Sequence, residues 1–115
     1  MADPAPLPAA PDAVALLEAE AVLFAISDPA RYSLLRALAD TGPQSVNTLA
    51  AKLARPADGI SKHLRVLRDA RLVRAVTPPD TDGRKQYHEI PALFRARDAA
   101  GKVLLDFGSI VLRFD

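Results

Sequence analysis

The stretch from Ser45 to Val73, SVNTLAAKLARPADGISKHLRVLRDARLV, decides how this chain folds. Ser45 stands where a helix N-cap belongs, and Val46, Leu49, Ala50 and Leu53 follow it at helical spacing up to about Ala54. Arg55-Pro56 interrupts the pattern. Beyond it Ile60, Leu64 and Leu67 recur at i, i+4 and i+7, which predicts a further helix running to about Ala70 with these three on its buried side. At about 100° per residue the opposite side carries Asp58, Lys62, Arg65 and Asp69, with Ser61 beside them. Two apolar-striped helices joined by a short turn, the second polar and basic on its outer face, make the helix-turn-helix pattern.

Working outward, Asp28-Pro29 reads as an N-cap followed by a proline at the first helical position, where a missing N–H costs nothing. That helix is expected to reach about Asp40 with Leu34, Leu35 and Leu38 inward, and Thr41-Gly42-Pro43 ends it. An earlier helix is expected from Asp12, its cap, to Ser27. Val14, Leu17, Ala21 and Phe24 form one apolar row, and Leu16 and Leu23 add a second flank. A helix apolar on two sides must cover its own core and something else, most economically a symmetry mate, so Val14, Leu17, Ala21 and Phe24 are candidate dimer contacts. Residues 1–11, with four prolines, read as a disordered arm.

Downstream, Leu72 to Thr77 alternates like a strand, Pro78 to Gly83 is a turn cluster, and Arg84 to Ile90 returns as a second strand. Pro91 is expected to open a short helix, Ala92 to about Asp98. The tail, residues 99–115, reads as a strand-like extension, with one or two strands between Lys102 and Phe114. The fold class expected is mainly α with a small β-hairpin, a winged helix-turn-helix domain over residues 12–98.

Composition narrows the function. Of 115 residues half are apolar, only 5% are aromatic and none is Cys or Trp, so disulfides, thiolate metal sites and thiol redox sensing are excluded. No apolar run approaches the roughly 18 residues of a membrane span, and the N-terminus lacks the basic start and apolar stretch of a secretory signal. A cytoplasmic protein is expected. The net charge of +1 conceals an asymmetry: residues 52–85 hold nine Lys and Arg against four Asp, a balance of +5, leaving −4 elsewhere. One surface is thus suited to a polyanion while the remainder stays soluble. An enzyme is excluded by inventory. There is no Gly-rich phosphate loop and no recognisable Ser-His-acid set, and Asp80 and Asp82 fall in an exposed turn without apolar walls to shift a pKa.

With LFAISDPARYSLLRAL at residues 23–38, the stretch from Ser45 quoted above, and DGRKQYHEI at residues 82–90, the chain resembles the ArsR/SmtB family of bacterial transcription regulators over roughly Val22 to Ile90. The resemblance implies a dimer that binds double-stranded DNA, its fourth helix in the major groove and its wing against flanking phosphates or the minor groove. Carried to this chain, Ala57, Asp58 and Gly59 lie in the first turn nearest the groove floor. Ser61, Lys62 and Arg65 face the bases or phosphates, and Arg84 and Lys85 stand beside the wing tip. Asp58 either accepts from a cytosine amino group or offsets the helix dipole.

Two departures stand out. Pro56 occupies the cap position of the recognition helix, where Ser or Thr is usual in the family, and Gly59 in its first turn costs about 1 kcal/mol relative to Ala. No Cys pair and no His-carboxylate array is present, so no metal and no cofactor are expected, and His63 and His88 read as packing residues. An effector, if used, is an organic ligand, a partner protein or a proton. The alternatives are a winged helix used only for protein contacts and an antitoxin-like regulator binding a partner protein.

Overall fold

Two of the four helix starts in this protein are set by a side-chain cap next to an apolar stripe, and two have none. The structure, a computed structural model, describes residues 18–77 and 86–114. Helix α1 (Ala19–Ile26) begins after Glu18, which makes no side-chain cap; Asp12, the cap expected from the sequence, lies outside the described residues. Asp28 caps α2 (Pro29–Ala39), accepting from the amides of Ala30 at 2.8 Å and Arg31 at 3.2 Å. After the two-residue strand β1 (Gln44–Ser45), Ser45 Oγ accepts from the Thr48 amide at 3.2 Å and starts α3 (Val46–Leu53). Helix α4 (Ala57–Asp69) follows a three-residue turn and, as its sequence implies, has Pro56 at its N-cap and no side-chain cap.

Both helices of this pair end on a left-handed residue that is not glycine. Ala54 (φ 52°) closes α3, with Arg55 N–H donating to Ala50 O at 3.0 Å. Arg71 (φ 68°) closes α4, with Leu72 N–H donating to Leu67 O at 3.0 Å. Glycine would adopt this conformation without the Cβ penalty, so packing, not local preference, fixes these turns.

The expected inward positions are the core. Leu34, Leu35 and Leu38 of α2, Leu49 of α3 and Ile60, Leu64 and Leu67 of α4 are fully buried, and α2, α3 and α4 pack on one another. From α1, Val22 and Ala25 join them, while Leu23 and Phe24 stay exposed. Strands β2 (Arg74–Val76) and β3 (Tyr87–Glu89) pair antiparallel, and β3 also pairs with β1, so the hairpin expected from the sequence is a three-stranded sheet in the order β1-β3-β2. Its connecting turn, with the Pro78 to Gly83 cluster, Arg84 and Lys85, lies outside the described residues.

The helix expected over Ala92–Asp98 does not form. A single 3-10 turn (Ala92–Phe94) gives way to β4 (Arg95–Arg97), which pairs with β5 (Val103–Asp106) in register Arg95↔Leu105 and Arg97↔Val103. Asp98 opens the hairpin turn, accepting from the amides of Ala100 at 2.8 Å and Lys102 at 3.0 Å, with Gly101 at φ 84°. The phenylalanines commit the segment to this course: Phe94 and Phe107 are buried edge to face at 5.2 Å, which draws both ends of the hairpin onto the core. The expected tail strands are present as β5 and β6 (Val111–Arg113), joined through Gly108 at φ 87°. The second sheet therefore has the order β4-β5-β6, and the expected division between residues 98 and 99 falls in its first turn.

Replacing Ala54 by Gly removes a Cβ from a left-handed position, and we expect a net gain of about 0.5–1 kcal/mol after the entropy cost of glycine. Urea unfolding at neutral pH checks this through its midpoint.

Candidate nucleic-acid interface

Burial of Ile60, Leu64 and Leu67 sets the rotation of α4, and the remaining positions follow from helical geometry. Asp58, Ser61, Lys62, Arg65 and Asp69 are all exposed, and Ala57 and Gly59 are half-buried in the first turn. The structure thus places Asp58, Ser61, Lys62 and Arg65 on the open side of one helix, with Ala57 and Gly59 in its first turn. No Cβ-sized obstacle surrounds Gly59 within 4 Å, so neither packing nor backbone conformation requires glycine there. Asp58, in the first turn of α4, sits where a negative charge is favoured by the helix dipole. Lys52 and Arg55, from α3 and the turn, are also exposed and extend the basic surface.

Two basic residues counted in the charge balance are committed elsewhere. Arg68 Nη1 donates to Nε2 of the buried His88 at 2.9 Å, tying α4 to β3. Arg74 Nε and Nη2 both donate to Glu89 Oε2, at 3.1 and 2.8 Å, across the β2–β3 pair. A guanidinium only donates, so His88 Nε2 must be the bare nitrogen and the ring proton sits on Nδ1. Burial, followed by the neighbouring Arg68 charge, pushes the His88 imidazolium below its ordinary range, so the ring is neutral near pH 7. Its Nδ1 and Oε1 of Gln44, the residue paired with it across β1, are buried without a partner among the described residues.

A second polar tie holds α1 against α2 and α4. The buried Arg31 donates through Nε to Ala25 O at 2.6 Å and through Nη2 to Phe24 O at 3.1 Å, satisfying carbonyls at the end of α1. Its Nη1 lies 3.4 Å from His63 Nδ1, and His63 Nε2 lies 3.9 Å from Asp28 Oδ1. Partial desolvation raises the Asp28 carboxyl, but the amides of Arg31 and Ala30 and the charges of His63 and Arg31 outweigh it and hold it below the usual range. Neither histidine was legible as part of such a tie, because Arg31 is 32 residues from His63, and Arg68 is 20 from His88.

Of the dimer-contact candidates, Ala21 and Phe24 are exposed on α1, Phe24 by 65%, whereas Val14 and Leu17 lie outside the described residues. Phe24 and Ala21 border an apolar hollow of about 260 Å³ completed by Val66 and Asp69 of α4 and by Ala70, which follows it. The Arg31 guanidinium lies 5.3 Å from the Phe24 ring centroid. Among the described residues no group of three His, Asp or Glu is placed to hold a metal ion, and no helix is long and apolar enough to cross a membrane.

This arrangement of helices and hairpin can be set beside known proteins. A helix-turn-helix domain family matches residues 26–76, from the end of α1 to β2. A solved structure described as a possible transcriptional regulator for arsenical resistance is 38% identical, with a TM-score of 0.52 over 62% of this chain and 70% of that one. The chain belongs to the ArsR family. An ArsR-like transcriptional regulator from Rhodococcus sp. is 31% identical, with a TM-score of 0.54 over 62% of this chain; the match spans 61% of that regulator's length. The homodimeric winged helix-turn-helix DNA-binding domain of a possible ArsR-family regulator from Mycobacterium bovis is 25% identical, with a TM-score of 0.57 over 73% of each chain. No curated protein sequence matches the chain. As an ArsR-family member it is a DNA-binding transcription regulator and not an enzyme.

The buried neutral His88 makes this ArsR-family domain sensitive to acid. Its folded-state pKa lies below the ordinary 6.5, so the unfolded chain takes the proton first. The stability it confers is full above that value and declines as pH falls below it. Denaturant midpoints measured between pH 7.5 and 5 should fall with acidification, and His88→Gln should flatten the dependence in this interval.

Proposed function

We propose that the protein is a repressor that acts as a homodimer on an inverted-repeat operator, reading each half-site with α4. The observation that carries this reading is the outward side of α4. Lys62 and Arg65 are exposed there with no hydrogen bond or ion pair among the described residues, beside the hydroxyl of Ser61. Long cations of this kind suit guanine O6 and N7 or phosphate oxygens. Arg84 and Lys85, at the wing, supply phosphate or minor-groove contacts in this reading. Dimerisation is supported by the homodimeric state of the Mycobacterium bovis domain, and its placement at α1 by the exposed Phe24 and Leu23. Two α4 helices would then lie about 34 Å apart, one turn of DNA, and span roughly 20 base pairs. With no Cys in the sequence, this reading does not include sensing through metal thiolates; a signal, where one acts, is an organic ligand, a partner protein or a proton. The protein then acts in the cytoplasm.

Selection from a random duplex pool at two salt concentrations tests the reading, which expects an enriched inverted repeat and a steep salt slope. On the selected operator, Lys62→Ala or Arg65→Ala should cost about 1–3 kcal/mol where the residue reads a base. Arg84→Ala should weaken all sequences alike and flatten the slope by about one unit. Undiminished operator affinity in the Lys62/Arg65 double variant refutes this placement of α4.

The dimer is tested separately. Phe24→Glu places a charge at an already exposed position and should yield a folded monomer by analytical ultracentrifugation. An intact dimer would move the interface away from α1.

A further inference from the structure

The second sheet carries arginines on a face that is otherwise core. Arg95 pairs with Leu105 and Arg97 with Val103, so these four side chains share one face. Leu105 is fully buried, and β5 packs against α2. Towards β4 the same face opens into a cleft of about 420 Å³ beside the end of α2, bordered by Arg95, Arg97 and Asp40. A hollow of about 260 Å³ shares Asp40, Arg97 and Val103 with it and adds Arg36, Lys102 and Phe114.

The electrostatics of this double cleft favour an anion. Among the described residues, three guanidinium groups, those of Arg36, Arg95 and Arg97, border it against one lining carboxylate, that of Asp40. Asp98, in the adjoining hairpin turn, is engaged by the Ala100 and Lys102 amides and lies 3.5 Å from Arg113. The negative end of α2 is partly covered as well, because Thr41 Oγ1 donates to Ala37 O at 2.9 Å and Arg95 Nη1 to Thr41 O at 3.2 Å. Arg97 is held by one bond, Nη1 to Gly101 O at 2.7 Å, which leaves its other donors uncommitted among the described residues. Arg36, exposed in the last turn of α2, has no hydrogen bond or ion pair there. Apolar surface adjoins these charges: Val103 and the Phe114 ring, itself 5.5 Å from the ring of Tyr32.

We propose that this cleft binds a small organic carboxylate, its charged group held by the Arg36 and Arg97 forks and its apolar body lying on Val103 and Phe114. Guanidinium forks match a carboxylate bidentately, and the apolar wall selects a body that an inorganic anion lacks. The hollow of about 260 Å³ that Arg36, Arg97, Val103 and Phe114 line accommodates a single aromatic ring with its substituent. The site is built from α2 and the second sheet alone and stands apart from the DNA reading.

The test is an amide chemical-shift titration of the full chain with benzoate, with benzyl alcohol and inorganic phosphate as controls. Saturable shifts at Gly101, Lys102 and Val103 with benzoate, and no such response to benzyl alcohol, are expected. Arg36→Gln, at an exposed helix position with no partner to lose, and the Arg36→Gln/Arg97→Gln pair should each weaken binding, the pair by about tenfold or more. Lys62→Ala should bind benzoate as the wild type does, whatever its effect on DNA. The absence of a saturable shift would reduce Arg95 and Arg97 to charges guarding the β4 edge and overturn the proposal. Unchanged benzoate affinity in the double variant, or phosphate binding as tightly as benzoate, would overturn it equally.

Discussion

The rotation of α4 about its own axis depends on three side chains, Ile60, Leu64 and Leu67, all removed from water against α2 and α3. Each buried side chain of this size contributes roughly 1.5–3 kcal/mol, far more than any exposed charge on the same helix. A rotation by one residue would bury Ser61 or Arg65 without a partner, so the polar side is held outward with little tolerance. The uncapped start at Pro56 and the glycine at position 59 weaken the first turn without releasing this hold, because the stripe spans the length of the helix.

Polar ties then join α4 to its surroundings at two points. At its midpoint His63 meets Arg31, which also closes the carbonyl end of α1, and near its end Arg68 meets His88 on β3. The helix that faces outward is thus linked to the helix bearing Phe24 on one side and to the hairpin on the other. Arginine suits these positions because its fork reaches several acceptors at once, and burying it unpaired would be costly. The same bonds explain why the basic surface is smaller than the charge balance of residues 52–85 implies: Arg68 and Arg74 serve the fold.

Much of the helical part was legible. Asp28-Pro29 and Ser45 are strong start signals, and the apolar positions of α2, α3 and α4 repeat at a period that only a helix satisfies, so their ends fall within a residue or so of expectation. The outward set Asp58, Ser61, Lys62, Arg65 and Asp69 follows from the same arithmetic. The segment after Pro91 was misread because Ala-Leu-Phe-Arg-Ala-Arg has good local helix propensity. Its conformation is decided instead by pairing with Val103–Leu105 and by the contact of Phe94 with Phe107, neither of which is encoded in a local window.

What the sequence by itself determined is therefore what neighbours within a few residues govern: the Asp28 and Ser45 caps, the helical stripes, and the side of α4 that faces water. The tertiary structure alone decided which cations are spent on internal bonds, that the chain after Phe94 becomes a second sheet, and that Arg36, Arg95 and Arg97 come together around one cleft. These outcomes depend on contacts between residues far apart in the chain. Such contacts form only when the buried leucines bring the elements together, so no periodicity along the chain announces them.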